Sequence, residues 1–184
     1  DYPLKDHGNS LLGAQVKVEV VKSATINHFA GTSRTATIPA GNWNDIAWNG
    51  SVFCAVPSSG DEAIISADGI NWTAYQLPAM APWNSIVWNG DEFVATSTTN
   101  IFTATSKDGI KWFAGAWPDS DNYSNIAWNG SVLCAVNLSS SSFTSTDGLS
   151  WDEHSLPIPA GYAFSITAGD GVFVAAPEGG GFGG

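Results

Sequence analysis

Few side chains in this 184-residue chain have the type and spacing to do chemistry. The three histidines, His7, His28 and His154, stand at no metal-ligand spacing to one another or to a cysteine. No EF-hand-like spacing of acids is present. The glycine run after Glu178 lacks the lysine of a phosphate loop. Two carboxylates at a suitable separation can cleave a glycosidic bond, and Asp61 with Glu62, or Asp119 with Asp121, are the nearest such pairs. Both lie in loop-like sequence, where solvated acids are the expectation. No metal and no cofactor is expected. The reactive side chains that remain, Cys54, Cys134 and three aspartates, belong to a pattern.

That pattern is a repeat. Trp43-Asn44-Asp45-Ile46-Ala47-Trp48-Asn49-Gly50 returns as Trp83-Asn84-Ser85-Ile86-Val87-Trp88-Asn89-Gly90 and as Tyr123-Ser124-Asn125-Ile126-Ala127-Trp128-Asn129-Gly130. The steps are 88 − 48 = 40 and 128 − 88 = 40. Ser66-Ala67-Asp68-Gly69-Ile70-Asn71-Trp72 recurs around Asp108-Gly109 and Asp147-Gly148, ending at Trp112 and Trp151, at steps of 40 and 39. A degenerate fourth unit begins near Tyr162 and runs out before a Ser-x-Asp-Gly motif. Cys54 and Cys134 share a position that Val94 and Val174 fill in the other units. Such a position is a small apolar core slot, and no disulfide is expected.

Each unit reads as four short strands. Asn49-Gly50, Asn89-Gly90 and Asn129-Gly130 predict two-residue type I′ hairpin turns. Asp68-Gly69, Asp108-Gly109 and Asp147-Gly148 predict a second tight turn in each unit. No 3.6-residue period is sustained anywhere. Four strands in ~40 residues is the size of a propeller blade. The expected fold class is therefore all-β, a small β-propeller of about four blades. The blades fall at 43–80, 83–120, 123–160 and 162–184, the last completed by an orphan fourth strand at 33–38 that closes the ring. Residues 1–32 are expected to be a connector or attachment segment, with strand-like alternation over 15–21. The repeated Trp48, Trp88 and Trp128 are expected to be mostly buried, with Trp72, Trp112 and Trp151 near blade interfaces.

Ser-x-Asp-Gly-x-x-Trp resembles a short variant of the Asp-box of bacterial neuraminidases and related propellers. That resemblance implies a hairpin between the third and fourth strands of a blade, with its Asp capping turn N–H groups and its Trp packed between blades. It carries over to Ser66, Asp68, Gly69 and Trp72 and to their equivalents. Together with Ile-x-Trp-Asn-Gly, the motif is also similar to propeller repeats of bacteriophage tail-fibre and other virion proteins, and of some secreted bacterial proteins. Sialidase activity is not implied: that family clamps its substrate with three arginines, and this chain has Arg34 alone.

Charge narrows the partners. Six Lys and Arg against 17 Asp and Glu give a formal net charge of −11, which excludes a phosphate backbone and an anionic membrane surface as partners. No apolar stretch predicts membrane insertion. Trp117 is the one Trp away from the repeated motifs and lies beside Asp119 and Asp121. It fits a sugar platform or partner contact, or cover for a blade edge. Tyr75 is a second candidate contact. The expected function is a non-enzymatic extracellular recognition or structural module, foremost a phage tail or virion protein contacting a host-surface glycan or protein, or neighbouring virion subunits. A secreted carbohydrate-binding propeller and a capsid or filament decoration scaffold are the alternatives. A homo-oligomer or larger assembly is expected, because one small ring offers little contact area.

Overall fold

The turn residues cut each unit into antiparallel hairpins. The computed structural model describes residues 25–27, 33–98, 102–118, 123–137, 141–155 and 163–178. The expected connector up to residue 24 and the strand over 15–21 lie outside them, as do Asp119 and Asp121. The first full unit forms a sheet of β3 (Trp43–Trp48), β4 (Phe53–Pro57), β5 (Gly60–Ser66) and β6 (Thr73–Ala81), paired in chain order. The second contains β7 (Trp83–Trp88), β8 (Phe93–Ser97), β9 (Phe102–Ser106) and β10 (Phe113–Ala116). The third contains β11 (Tyr123–Trp128), β12 (Leu133–Asn137), β13 (Ser141–Ser145) and β14 (Asp152–Ser155). A two-stranded sheet of β15 (Ala163–Gly169) and β16 (Val172–Glu178) follows. The first strands of successive sheets are neighbours, β3 to β7 to β11 to β15, so the sheets stack like blades around an axis. The architecture is all-β and propeller-like, as the repeat predicts.

Between blades, a bulky face meets a face of small residues. Phe93 and Trp83 are completely buried with Cys54, Val56 and Ala63 of the first blade. Leu133, Phe143 and Trp151 of the third blade pack with Val94 of the second. Phe173 packs against the cluster of Ala127, Cys134 and Val136. This closeness, as well as positive φ, requires glycine in the Asp-Gly turns. A Cβ on Gly148 (φ 69°) would lie 2.7 Å from Val94, and one on Gly109 (φ 75°) would lie 2.6 Å from Ile65. The recurrent Trp at the end of each first strand is less buried than expected. Trp48 is 44% exposed, and Trp88 and Trp128 are half-buried. Their rings lie at the margin of the interface, where Trp88 meets Phe93 edge-on at 5.0 Å between ring centroids.

Both turns are held by side chains. In the Asp-Gly turn of the first blade, Ser66 Oγ accepts from Gly69 N–H at 2.8 Å. Asp68 Oδ1 accepts from Ile70 and Asn71 N–H, each at 2.8 Å. Asp108 and Asp147 repeat this arrangement. The Asn-Gly turns depart from the type I′ expectation. Only the glycines take positive φ, 95°, 98° and 98° at Gly50, Gly90 and Gly130. The asparagine instead accepts backbone N–H groups across a four-residue loop: Asn49 Oδ1 binds Ser51 N–H at 2.9 Å and Val52 N–H at 2.8 Å. Asn89 and Asn129 do the same. The degenerate unit takes the type I′ form, with Asp170 at φ 51° and Gly171 at 79° between paired Gly169 and Val172.

The expected closure is corrected. β2 (Ser33–Thr35) pairs antiparallel with β1 (Thr25–Asn27), not with the unit at 162–184. Beyond β2, Thr37 N–H donates to Ile70 O at 2.7 Å and Trp72 N–H donates to Thr37 O at 3.3 Å. The segment after β2 therefore docks on the first blade's Asp-Gly turn. A nearby hairpin partner closes a short loop, whereas the last unit lies across the whole arc.

Two stability outcomes follow from this packing. Trp83→Ala should cost about 3–5 kcal/mol, whereas Phe113→Ala, at a site 52% exposed, should cost less than about 1 kcal/mol; urea unfolding of each variant measures both. Hydrogen bonds hold the Asp68 and Asp108 carboxyls below their ordinary range, chiefly those from Asn71 and Lys111 N–H. For Asp147, burial opposes the shift but the N–H bonds of Ser150 and Leu149 outweigh it. A depressed folded pKa contributes stability that is present above the unfolded value of about 3.9 and is lost as pH falls through the folded value. The urea midpoint should therefore fall from about pH 4 downward, and less steeply in Asp108→Asn.

Candidate functional rim

The first strands carry the most regular polar feature of the arc. Each begins with a bulge: the register shifts between Trp43 and Asp45, Trp83 and Ser85, and Tyr123 and Asn125. A bulge re-aims the side chains beside it, and here these are Asn44, Asp45, Asn84 and Ser85. Asn44 Nδ2 donates to the carbonyl of Asn84 at 2.7 Å and to that of Trp83 at 3.3 Å. Asp45 Oδ2 accepts from Ser85 Oγ at 3.0 Å and Ile86 N–H at 2.8 Å, and its Oδ1 accepts from Ile46 N–H at 2.8 Å. The carboxylate is thus committed to joining two blades. The exposed Asn44 and half-buried Asn84 form a neutral rim of amide donors and acceptors. Sequence reasoning passed over these positions, although the polar pair between Trp43 and Ile46 and between Trp83 and Ile86 was their signal.

A second polar group lies at the junction of the second and third blades. Glu92 is held above the ordinary carboxylate range by burial, with the charges of Asp91 and Asp147 adding and Thr105 and Lys107 opposing. Lys107 Nζ pairs with Asp91 at 2.7 Å in an exposed ion pair, a contact of little energetic weight. Among the described residues no three His, Cys, Asp or Glu side chains gather as a metal site would need.

The residues singled out from sequence do not come together. Trp117 is 3% exposed and packs on Trp151 at 4.2 Å and on Phe143 at 5.9 Å between ring centroids. It is no platform. It follows β10 at the position that Leu77 holds within the longer β6, since 117 − 77 = 40, and both plug the junction with the next blade. Residue type concealed the equivalence. Tyr75 is half-buried on β6, opposite Ala63, away from the rim.

No protein-family model and no curated protein sequence matches the chain. Solved structures do. A catalytically inactive virginiamycin B lyase from Staphylococcus aureus with quinupristin aligns at TM-score 0.74 and 13% identity, over 85% of this chain and 56% of that one. A nidogen/laminin complex aligns at 0.63 and 14% identity, over 84% and 66%. YCF48 bound to D1 peptide aligns at 0.58 and 14% identity, over 78% and 54%. The chain shares the propeller-like fold of these proteins and spans about half the length of the lyase structures it matches. The expectation of a non-enzyme is corrected by the lyases. Their fold carries catalysis, so the want of a sialidase inventory speaks to sialidase chemistry and not to activity at large.

The thiols lie outside the rim. Cys54 is pushed far up by burial, and Cys134 is pushed up to about 11 by burial. The thiolate is the reactive form. Both should therefore resist a disulfide reagent at neutral pH in the folded protein and react at once in denaturant, as thiol titration would show.

Proposed function

We propose that this chain is a recognition module of an extracellular or virion assembly, foremost a phage tail, and that it reads an extended protein segment through the rim of Asn44 and Asn84. The observation that carries the reading is the repeated bulge, which aims primary amides at one edge of the arc on successive blades. Amides pair with peptide N–H and C=O groups alike and need no charge. Two of the similar structures are complexes with a protein or peptide, nidogen with laminin and YCF48 with D1 peptide. The virion setting is supported by the paired Ile-x-Trp-Asn-Gly and Ser-x-Asp-Gly-x-x-Trp motifs. A carbohydrate ligand has less support, because the aromatic that fitted a sugar, Trp117, lies in the core.

The immobilised chain should capture extended peptides from a displayed random library. Asn84→Ala should weaken the selected peptide about three- to tenfold, the loss of one neutral hydrogen bond; Asn44→Ala should weaken it at least as much, because it also removes the bonds that hold Asn44 on the Asn84 and Trp83 carbonyls. Lys107→Ala, on an outer turn, should leave binding unchanged. Equal binding by all variants, or hits confined to a glycan array, would overturn the peptide reading.

A further inference from the structure

Every complete blade here has four strands, whereas the first and last described sheets have two each. β15–β16 match the first and second strands of a blade: β15 neighbours β11 just as β11 neighbours β7. β1–β2 stand where third and fourth strands stand. The chain leaving β2 binds the Asp-Gly turn of the first blade through Thr37, as Leu77 within β6 and Trp117 after β10 lie against the blade that follows. The first and last described sheets together hold the four strands of one blade, and among the described residues β16 pairs with β15 alone.

The uncovered surface matches this division. The slot of Cys54, Val94 and Cys134 is 0%, 0% and 6% exposed where a following blade covers it, but Val174 in the last unit is 59% exposed and Val172 beside it 58%. On the opposite face, Phe93 and Leu133 are fully buried against a preceding blade, while Phe53 is half-buried and Trp48 44% exposed. The first blade is thus bare over its first two strands, where β15–β16 of a neighbour would lie, and covered at its Asp-Gly turn by its own Thr37. An apolar edge strand such as Val172–Glu178 is a template for pairing with another chain. The chain aligns over about half of larger propeller chains.

We infer that two copies of this chain complete the blade between them: β15–β16 of one copy pair through β16 with β1 of the next and lay Val172 and Val174 on its Trp48 and Phe53. The contact is head-to-tail and continues the interface already present three times within the chain. It stands independently of the peptide reading.

Sedimentation of the 184-residue chain tests this. The expected species has at least twice the 19.2 kDa mass of one copy. Val174→Asp and Trp48→Asp each change a side chain exposed in the single copy, so each should yield a monomer with an unchanged circular dichroism spectrum. Mixing the two variants should restore the dimer, because one junction then keeps both native faces; an interface joining like surfaces would not recover. A monomeric wild-type chain, an oligomer that survives both substitutions, or a mixture that stays monomeric would overturn the inference.

Discussion

The structure depends on one contact made repeatedly: the bulky face of a blade laid on the small-residue face of the blade before it. A four-stranded sheet of strands this short cannot bury either face by itself, so each unit is stable only through its neighbours. The contact explains why Cys54, Val94 and Cys134 are interchangeable in size. It also explains why the glycines of the Asp-Gly turns must sit where a Cβ would strike Val94 or Ile65. It draws the first strands together, and with them the bulges that bring Asn44 and Asp45 of one blade onto Asn84 and Ser85 of the next.

Acidic side chains help hold this architecture together. Asp68, Asp108 and Asp147 close turns through backbone N–H groups, and Asp45 ties the first blade to the second. Such carboxylates are occupied as acceptors, which leaves the rim to neutral amides. The lyases and the protein-binding propellers that share the fold differ in what their sites hold, and a shared scaffold does not choose between them.

Two local signals left the geometry open. Asn49-Gly50 suggested a type I′ turn, yet the asparagine oxygen gains two backbone donors by staying at negative φ in a longer loop. Trp117 fitted either a surface platform or cover for a blade edge, and it takes the second place, filling the junction that Leu77 fills one blade earlier. In both cases local sequence offered two geometries, and contacts beyond the immediate neighbours selected one.

The sequence by itself determined the blade. A forty-residue period with paired turn signals admits little but a four-stranded antiparallel unit, and the shared Cys and Val slot marks its core face. The Asp-Gly turn was equally legible, because its hydrogen bonds close within seven residues, Ser66 to Trp72. Only the tertiary structure decided the curvature of the stack, the partner of the N-terminal strand and the position of the amide rim. Each of these is set by how one sheet lies on another, and pairings between distant segments leave no periodic trace in the chain. Trp48 shows the division most clearly. Its motif is the same as that of Trp88 and Trp128, and its greater exposure follows from there being no blade strands among the described residues laid over it.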